Sequence, residues 1–162
     1  MAEPIPEKEI EGAYELPEGW VWVDIGSFAL FVGSGITPRG GKSNYLENGI
    51  PFLRSQNVYP DGLHLDYVVY ISEDLHNQMS RTHVEDFDVL LNITGASIGR
   101  STFVPPSFGR GNVNQHVCII RFKDYVDSAY ISSFLNSPFG QDQIFATQVG
   151  VTTIPSPPCS LV

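Results

Sequence analysis

Short apolar runs alternate with turn residues along most of the chain. Runs that are rich in β-branched or aromatic residues and bounded by Gly, Pro, Asn or Asp predict strands, at residues 50–58, 65–71, 87–93, 100–104 and 113–122. A further apolar run at 28–32 ends at a Gly-Ser-Gly turn. The segment 21–25 fits either a short strand or the entry into a helical turn.

Three short helices are predicted from capping residues and helical spacing. Ser72 is a candidate N-cap for a helix that carries Leu75 and Met79 on one face. Asp127 can cap a second helix, and Ser137-Pro138 supplies a cap and a first-turn proline for a third. Together the strands and helices predict an α+β domain with a mixed or antiparallel curved sheet.

The 162 residues are enough for one domain with a sizeable core. We expect an acidic N-terminal extension at 1–15, the folded domain at 16–152 and an irregular Pro-rich tail at 153–162. There is no run of 18 apolar residues, and the acidic, proline-broken start does not resemble a secretory signal. These features predict a cytoplasmic protein without a membrane span, in which Cys118 is a buried apolar residue that is not bridged to Cys159.

The net charge of −9, from 18 acids against 9 bases, at first argues against a nucleic-acid partner. The distribution changes that expectation, because the windows 25–46, 48–60 and 89–123 contain no Asp or Glu. They hold seven of the nine bases: Arg39, Lys42, Arg54, Arg100, Arg110, Arg121 and Lys123. One interpretation is a patch that faces a negative partner. The other is a set of core strands with occasional surface arginines.

Motifs for catalysis and metal binding are largely missing. The segment from Gly35 to Ser43 resembles a phosphate-binding loop. Five residues separate Gly35 from Gly41-Lys42, however, where that motif has four, and no helix is predicted to follow. The four histidines lack metal-ligand spacing. The cluster Glu85-Asp86-Asp88 is typical of a solvated face. We therefore expect no catalytic residues, no metal and no cofactor.

Three loops combine bases with amides, hydroxyls and aromatic rings, the groups that contact phosphates and base edges. The first loop spans 37–45, the second 54–59, and the third 92–100 with a continuation at 110–115. The candidate contact residues are Arg39, Lys42, Ser43, Asn44, Tyr45, Arg54, Gln56, Asn57, Tyr59, Arg100, Arg110 and Asn112. For Asn92, Asn114 and Gln115, which lie in or beside apolar strands, a structural role is favoured over contact.

Six motifs follow one another along the chain: Leu16-Pro-Glu-Gly-Trp-Val-Trp-Val, Gly49-Ile-Pro-Phe-Leu-Arg-Ser-Gln-Asn-Val58, Asp88-Val-Leu-Leu-Asn-Ile-Thr-Gly-Ala-Ser-Ile-Gly99, Asn114-Gln115, Tyr130-Ile-Ser-Ser-Phe-Leu-Asn-Ser137 and Val149-Gly-Val-Thr152. In this order they resemble the specificity (S) subunits of type I restriction–modification systems. The resemblance implies a target recognition domain, a non-catalytic module that reads one half of a bipartite double-stranded DNA site. It also implies methyltransferase (M) and restriction (R) subunits as partners, because long helices between two such domains hold the M subunits in that family.

The chain departs from the family pattern after Thr152. A strand and a leucine-rich spacer helix are expected there, and Thr153-Ile-Pro-Ser-Pro-Pro-Cys159 stands instead. The chain therefore looks like a truncated or frameshifted subunit with a single recognition domain, for which docking of the M subunits is in doubt and a monomer is expected. Two other hypotheses stay open. One is a protein-interaction module that binds or competes for restriction-system subunits without DNA, and the other is an inactive truncated product.

Overall fold

The fold is described by a computed structural model over residues 15–149. This part of the chain contains nine strands: β1 Ala29–Ser34, β2 Ile50–Leu53, β3 Val58–Tyr59, β4 Gly62–Leu63, β5 Val69–Ile71, β6 Val89–Asn92, β7 Ser101–Phe103, β8 Asn112–Val113 and β9 Val117–Phe122. It also contains three α-helices: α1 Glu73–Gln78, α2 Ser128–Asn136 and α3 Pro138–Val149. Four short 3-10 helices lie in the connections, at Ile25–Phe28, Gly41–Asn44, Ser55–Asn57 and Ser80–Thr82. The predicted α+β class is confirmed.

The strands form two open sheets and a small hairpin. The largest sheet has four antiparallel strands in the order β1-β9-β6-β7. The second sheet has the order β5-β2-β8 and is mixed, because β2 pairs antiparallel with β5 and parallel with β8. Strands β3 and β4 pair with each other. The central β9–β6 pairing joins segments far apart in sequence, so long-range contacts hold the domain together.

The two central strands of the large sheet are buried on both faces. In β6, Leu90 packs into a cluster that also contains Val113 of the second sheet. Its neighbours Val89 and Leu91 pack on the opposite face, together with Leu135 of α2. Successive side chains of a strand point to opposite faces, so a strand that meets water on neither face needs apolar residues at every position. The nearly continuous apolar sequence of β6 and β9 follows from this burial.

The helices begin where their capping residues predict. The carboxylate of Asp127 accepts hydrogen bonds from the N–H groups of Ala129 at 2.9 Å and Tyr130 at 3.1 Å. The hydroxyl of Ser72 accepts one from Leu75 N–H at 3.2 Å. Each cap satisfies N–H groups that lack a partner in the first turn of a helix.

The last residue of α2 closes an edge of the large sheet. The side chain of Asn136 donates to the Ser101 carbonyl at 2.8 Å and accepts from the Ser101 N–H at 3.1 Å. The amide thus occupies backbone groups that a further strand would otherwise pair with. This contact fixes α2 along β7.

The predicted strand at 50–58 is wrong in its second half. The chain leaves the extended conformation after Leu53, because the side chain of Asn57 accepts a hydrogen bond from Arg54 N–H at 3.0 Å and folds residues 55–57 into a 3-10 turn. Strand pairing resumes only at Val58. The strand prediction runs through the polar residues 54–57 because apolar residues lie on both sides of them, at 52–53 and at 58.

Two other predicted strands are shorter than expected. The run 113–122 is broken at 114–116, where the N–H of Val117 bonds back to the Asn114 carbonyl at 3.1 Å. The run 65–71 is a strand only over 69–71, because residues 65–68 form a turn. The segment 21–25 is irregular and leads into the 3-10 helix Ile25–Phe28, which fits the predicted helical entry.

Some predictions lie outside the described residues. These are most of the acidic extension, the Pro-rich tail, and Cys159 with its pairing, so the domain boundaries stay predictions. Cys118 is fully buried, as predicted. Over residues 15–149, no helix has both the length and the apolar character required to cross a bilayer.

Replacing Leu90 by Ala should lower the free energy of unfolding by about 2–5 kcal/mol, because this side chain is completely buried and its removal leaves a cavity. The matched control is Leu30→Ala in β1 of the same sheet, where the side chain is 62% exposed and the loss should stay below about 1 kcal/mol. Urea denaturation followed by circular dichroism measures both. Equal losses for the two variants would contradict the two-sided core.

Candidate nucleic-acid interface

The amide of Asn92, at the end of β6, joins the second and third loops. Its side chain is fully buried. The Nδ2 atom donates to the carbonyl of Ser55 at 2.8 Å and to the hydroxyl of Ser97 at 3.1 Å. The second and third loops therefore lie side by side, and Asn92 has the structural role that its sequence position favours.

A series of polar side chains brings the first loop to the same place. The hydroxyl of Thr37 donates to Gln115 Oε1, and Gln115 Nε2 lies 2.9 Å from His116 Nε2. The other ring nitrogen of His116, Nδ1, bonds to the hydroxyl of Thr94 in the third loop. The start of the first loop is thus fixed beside the third.

Tyr59 and Arg100 meet where the second and third loops face each other. The guanidinium carbon of Arg100 lies 4.6 Å from the centroid of the Tyr59 ring, and the ring of His64 stacks on Tyr59 at 4.2 Å. A cation held over an aromatic face gains about 0.5–2 kcal/mol and loses much of its freedom. Among the described residues, Arg100 forms no ion pair with a carboxylate.

Arg54 lies between two tyrosines. Its guanidinium carbon is 5.6 Å from the centroid of the Tyr45 ring, and Nη2 donates to the carbonyl of Tyr67 at 3.1 Å. Its Nε atom is buried and has no hydrogen-bond partner in the described part of the chain. Tyr45 also packs against Phe52 of β2, which anchors the end of the first loop.

Tyr67 projects from this surface in an uncommon backbone conformation. It has a φ of 62° and its side chain is 88% exposed. A bulky residue with positive φ costs on the order of 1–2 kcal/mol, which the hydrogen bond from Arg54 helps to offset. Tyr67 is not among the contact residues predicted from the sequence, because it lies inside a predicted strand.

The first loop presents two unpaired bases. Arg39 and Lys42 are exposed, and neither forms an ion pair within the described residues. The loop is shaped by its own polar groups. Asn44 Nδ2 donates to the Arg39 carbonyl at 2.8 Å, and the Ser43 hydroxyl donates to the Gly40 carbonyl at 3.0 Å. Ser43 and Asn44 therefore order the loop that carries the two bases.

Two of the predicted contact residues are buried, and the structure corrects their role. Asn57 is fully buried, and besides its bond to Arg54 it donates to the His64 carbonyl at 2.8 Å. Asn112 is fully buried as well. Its Nδ2 donates to the Met79 carbonyl at 3.1 Å and the Thr82 hydroxyl at 2.7 Å, and its Oδ1 lies 2.5 Å from Nδ1 of His76. With their hydrogen bonds satisfied inside the domain, neither amide can reach a partner.

Arg110 is neutralised by a carboxylate, which removes it from the candidate surface. Its two terminal nitrogens bond to the two oxygens of Glu73 at 2.9 and 2.6 Å. These hydrogen bonds hold the pKa of Glu73 below its ordinary value, although burial acts in the opposite direction. Arg121 is similarly bound by Asp88 at 2.7 Å and Glu85 at 2.6 Å, and the hydrogen bonds to Asp88 raise the pKa of the guanidinium. A sequence window without Asp or Glu can therefore still have carboxylates from other parts of the chain as spatial neighbours.

The structure brings most of the predicted residues together around one surface. We call this surface the loop face; it consists of the first loop, the second loop with Tyr67, and residues 92–100 with Gln115 and His116. Gln56 and Tyr59 lie on it, with Arg54 and Arg100. No group of three or more His, Cys, Asp or Glu side chains that could hold a metal ion occurs among residues 15–149.

No protein-family model matches the sequence, and no curated protein matches it. The fold, in contrast, is similar to solved structures. One is the HsdS subunit from Thermoanaerobacter tengcongensis, with a TM-score of 0.56 and 17% identity over 90% of this chain and 32% of that chain. Another is a structure that concerns the complex assembly and conformational transition of the type I R-M system. It has a TM-score of 0.59 and 19% identity over 84% of this chain and 32% of that chain.

The described residues therefore form an α+β module with a fold similar to part of these structures. More specifically, it has the fold of part of an HsdS specificity subunit, as the six sequence motifs predict. The chain spans 32% of the length of each of these structures.

Neighbouring residues of the second loop should respond differently to truncation. Asn57→Ala should lower the free energy of unfolding by about 1–3 kcal/mol, because it leaves the Arg54 N–H and the His64 carbonyl without their partner. Gln56→Ala should change stability by less than about 0.5 kcal/mol, since that side chain is exposed. Thermal and urea denaturation compare the two. A larger loss for Gln56→Ala would show that the two amides have been assigned the wrong way round.

Proposed function

We propose that this chain is a sequence-specific, double-stranded DNA recognition domain of a type I restriction–modification specificity subunit. It reads one half of a bipartite target and is itself non-catalytic. What supports the proposal is that Arg39, Lys42, Arg54 and Arg100 belong to loops that hydrogen bonds and ring contacts link, and that none of them forms an ion pair within residues 15–149. The fold of an HsdS subunit and its coverage of about a third of such chains support a single recognition module. M and R subunits are the proposed assembly partners, and the proposed compartment is the cytoplasm.

The roles on the loop face divide by chemistry. Arg39 and Lys42, on an exposed loop, suit contacts to phosphates, which position a protein on DNA without reading sequence. Gln56 offers an exposed amide beside Arg100 and can form bidentate hydrogen bonds with adenine. Tyr67 provides an aromatic surface that can pack against bases or sugars. We therefore propose that Gln56 and Tyr67 contact DNA bases, whereas the buried amides of Asn57 and Asn112 do not.

The isolated domain should bind DNA weakly. A half-site of about three or four base pairs, at about 1–3 kcal/mol of discrimination each, leaves little free energy after the cost of association. We expect a Kd in the micromolar range or weaker at physiological salt. In a full assembly, linking two such domains raises the overall affinity.

Charge reversal at Arg39 should weaken binding to every DNA sequence by about tenfold at low salt, because a phosphate contact is replaced by repulsion. The matched control is Arg81→Glu, an exposed arginine that also forms no ion pair within the described residues and lies outside the loop face. Fluorescence anisotropy over a salt series measures both. If the two variants behave alike, or if binding is independent of salt, the loop face does not contact phosphates.

Gln56→Ala and Tyr67→Ala should relax sequence preference more than they reduce affinity, because base contacts carry the specificity. Selection of bound sequences from a random DNA pool gives the preferred half-site of the parent domain, and repeating it with each variant gives the change. Discrimination at one position should fall by about 1–3 kcal/mol. An unaltered selected sequence for both variants would place base reading elsewhere.

A protein-interaction role is the second candidate, and one observation favours it. Trp20 and Tyr130 are 58% and 53% exposed and lie 6.5 Å apart, which leaves an aromatic pair on the surface at α2. Exposed aromatic residues are enriched at protein interfaces. A stable complex with M subunits in the absence of DNA, lost in Trp20→Ala but kept in Arg39→Glu, would assign this role to the α2 face.

A further inference from the structure

An open pocket of about 340 Å³ lies between the second and third loops. Ser55, Gln56 and Tyr59 of the second loop line it, together with residues 94–97, Arg100 and His116. No Asp or Glu contributes to its walls. In a protein of net charge −9, a pocket that contains an arginine and lacks acids can accept a negative group.

Four of the residues that line this pocket carry unused backbone donors. The N–H groups of residues 94, 95, 96 and 97 donate no hydrogen bond to any acceptor in the described part of the chain. The loop turns here because Ile98 N–H bonds to the Gly95 carbonyl at 3.2 Å, with Gly95 at a φ of +83°. Successive N–H groups exposed in such a turn form a concave site for anions. The space beyond the Gly95 Cα is open to at least 4 Å, so a ligand can approach the backbone closely.

The loop is held in this conformation from behind. Gly99 N–H bonds to the Asn92 carbonyl at 2.9 Å, and Gln141 of α3 donates to the Gly99 carbonyl at 2.9 Å. Asn92 fixes Ser97 through its hydroxyl at 3.1 Å. Arg100 is oriented by the ring of Tyr59, as described above. The donors are therefore positioned before any ligand arrives, which lowers the entropic cost of binding.

We propose that this pocket binds one phosphate group of a nucleic-acid backbone, through the N–H groups of residues 94–97 and the guanidinium of Arg100. The inference rests on the proposed function and deepens it by assigning a phosphate subsite. Four N–H groups and a guanidinium offer donors only, and a phosphate oxygen is an acceptor only.

Ala96→Pro tests the backbone contact directly. Ala96 is exposed and occupies the second position of the turn 95–98, where proline is favoured, so the substitution removes one N–H and keeps the turn. Affinity for all duplex sequences should fall by about tenfold or more, since a hydrogen bond to a charged group is lost. Ala96→Ser keeps the N–H and should bind like the parent.

Arg100→Gln should lower the slope of log Kobs against log salt by about one.

A titration with inorganic phosphate, followed by the amide resonances of the unaltered protein, separates this inference from the proposed function. Shifts confined to residues 94–97 with both phosphate and duplex DNA support the subsite. Shifts with phosphate in a protein that binds no DNA overturn the backbone assignment together with the proposed function. DNA binding without any change at 94–97 overturns the subsite alone. A changed sequence preference in Ala96→Pro, without uniform weakening, also overturns it, because the pocket would then read a base.

Discussion

The buried amide of Asn92 is the interaction on which the arrangement of the loop face depends. Its two hydrogen bonds, to the Ser55 carbonyl and the Ser97 hydroxyl, join loops that are about 40 positions apart in the chain. Buried in a low-dielectric environment, such bonds are costly to break, because the groups left behind have no water to replace them. The position of Arg100 relative to Tyr59 follows from this link. Recognition chemistry at the surface therefore rests on a polar contact in the interior.

Local chemistry predicted the helices and much of the sheet. The caps Ser72 and Asp127 fix where two helices begin, and the continuous apolar run of β6 reflects burial on both faces. The turn at 55–57 could not be predicted, because it depends on where the side chain of Asn57 finds its acceptors and donors. The polar run 54–57 fits either a strand or a turn, and this side-chain contact decides between them.

The candidate site was predictable only in part, for a related reason. Sequence windows free of acids predict Arg39, Lys42 and Arg100 as contact residues, and none of the three forms an ion pair within the described residues. They failed for Arg110, since Glu73 lies 37 positions away in sequence yet forms a bidentate pair with it. Charge neutralisation is a property of spatial neighbours. The exposure of Tyr67 was not predicted, because it follows from a positive φ angle that no local motif encodes.

The contact between Asn136 and Ser101 has a consequence for assembly. With the outward N–H and carbonyl of Ser101 occupied, another polypeptide cannot lengthen the large sheet at β7 unless it first displaces the end of α2. Addition of a strand from another copy, the usual route to fibrous aggregates, is therefore obstructed at the β7 edge.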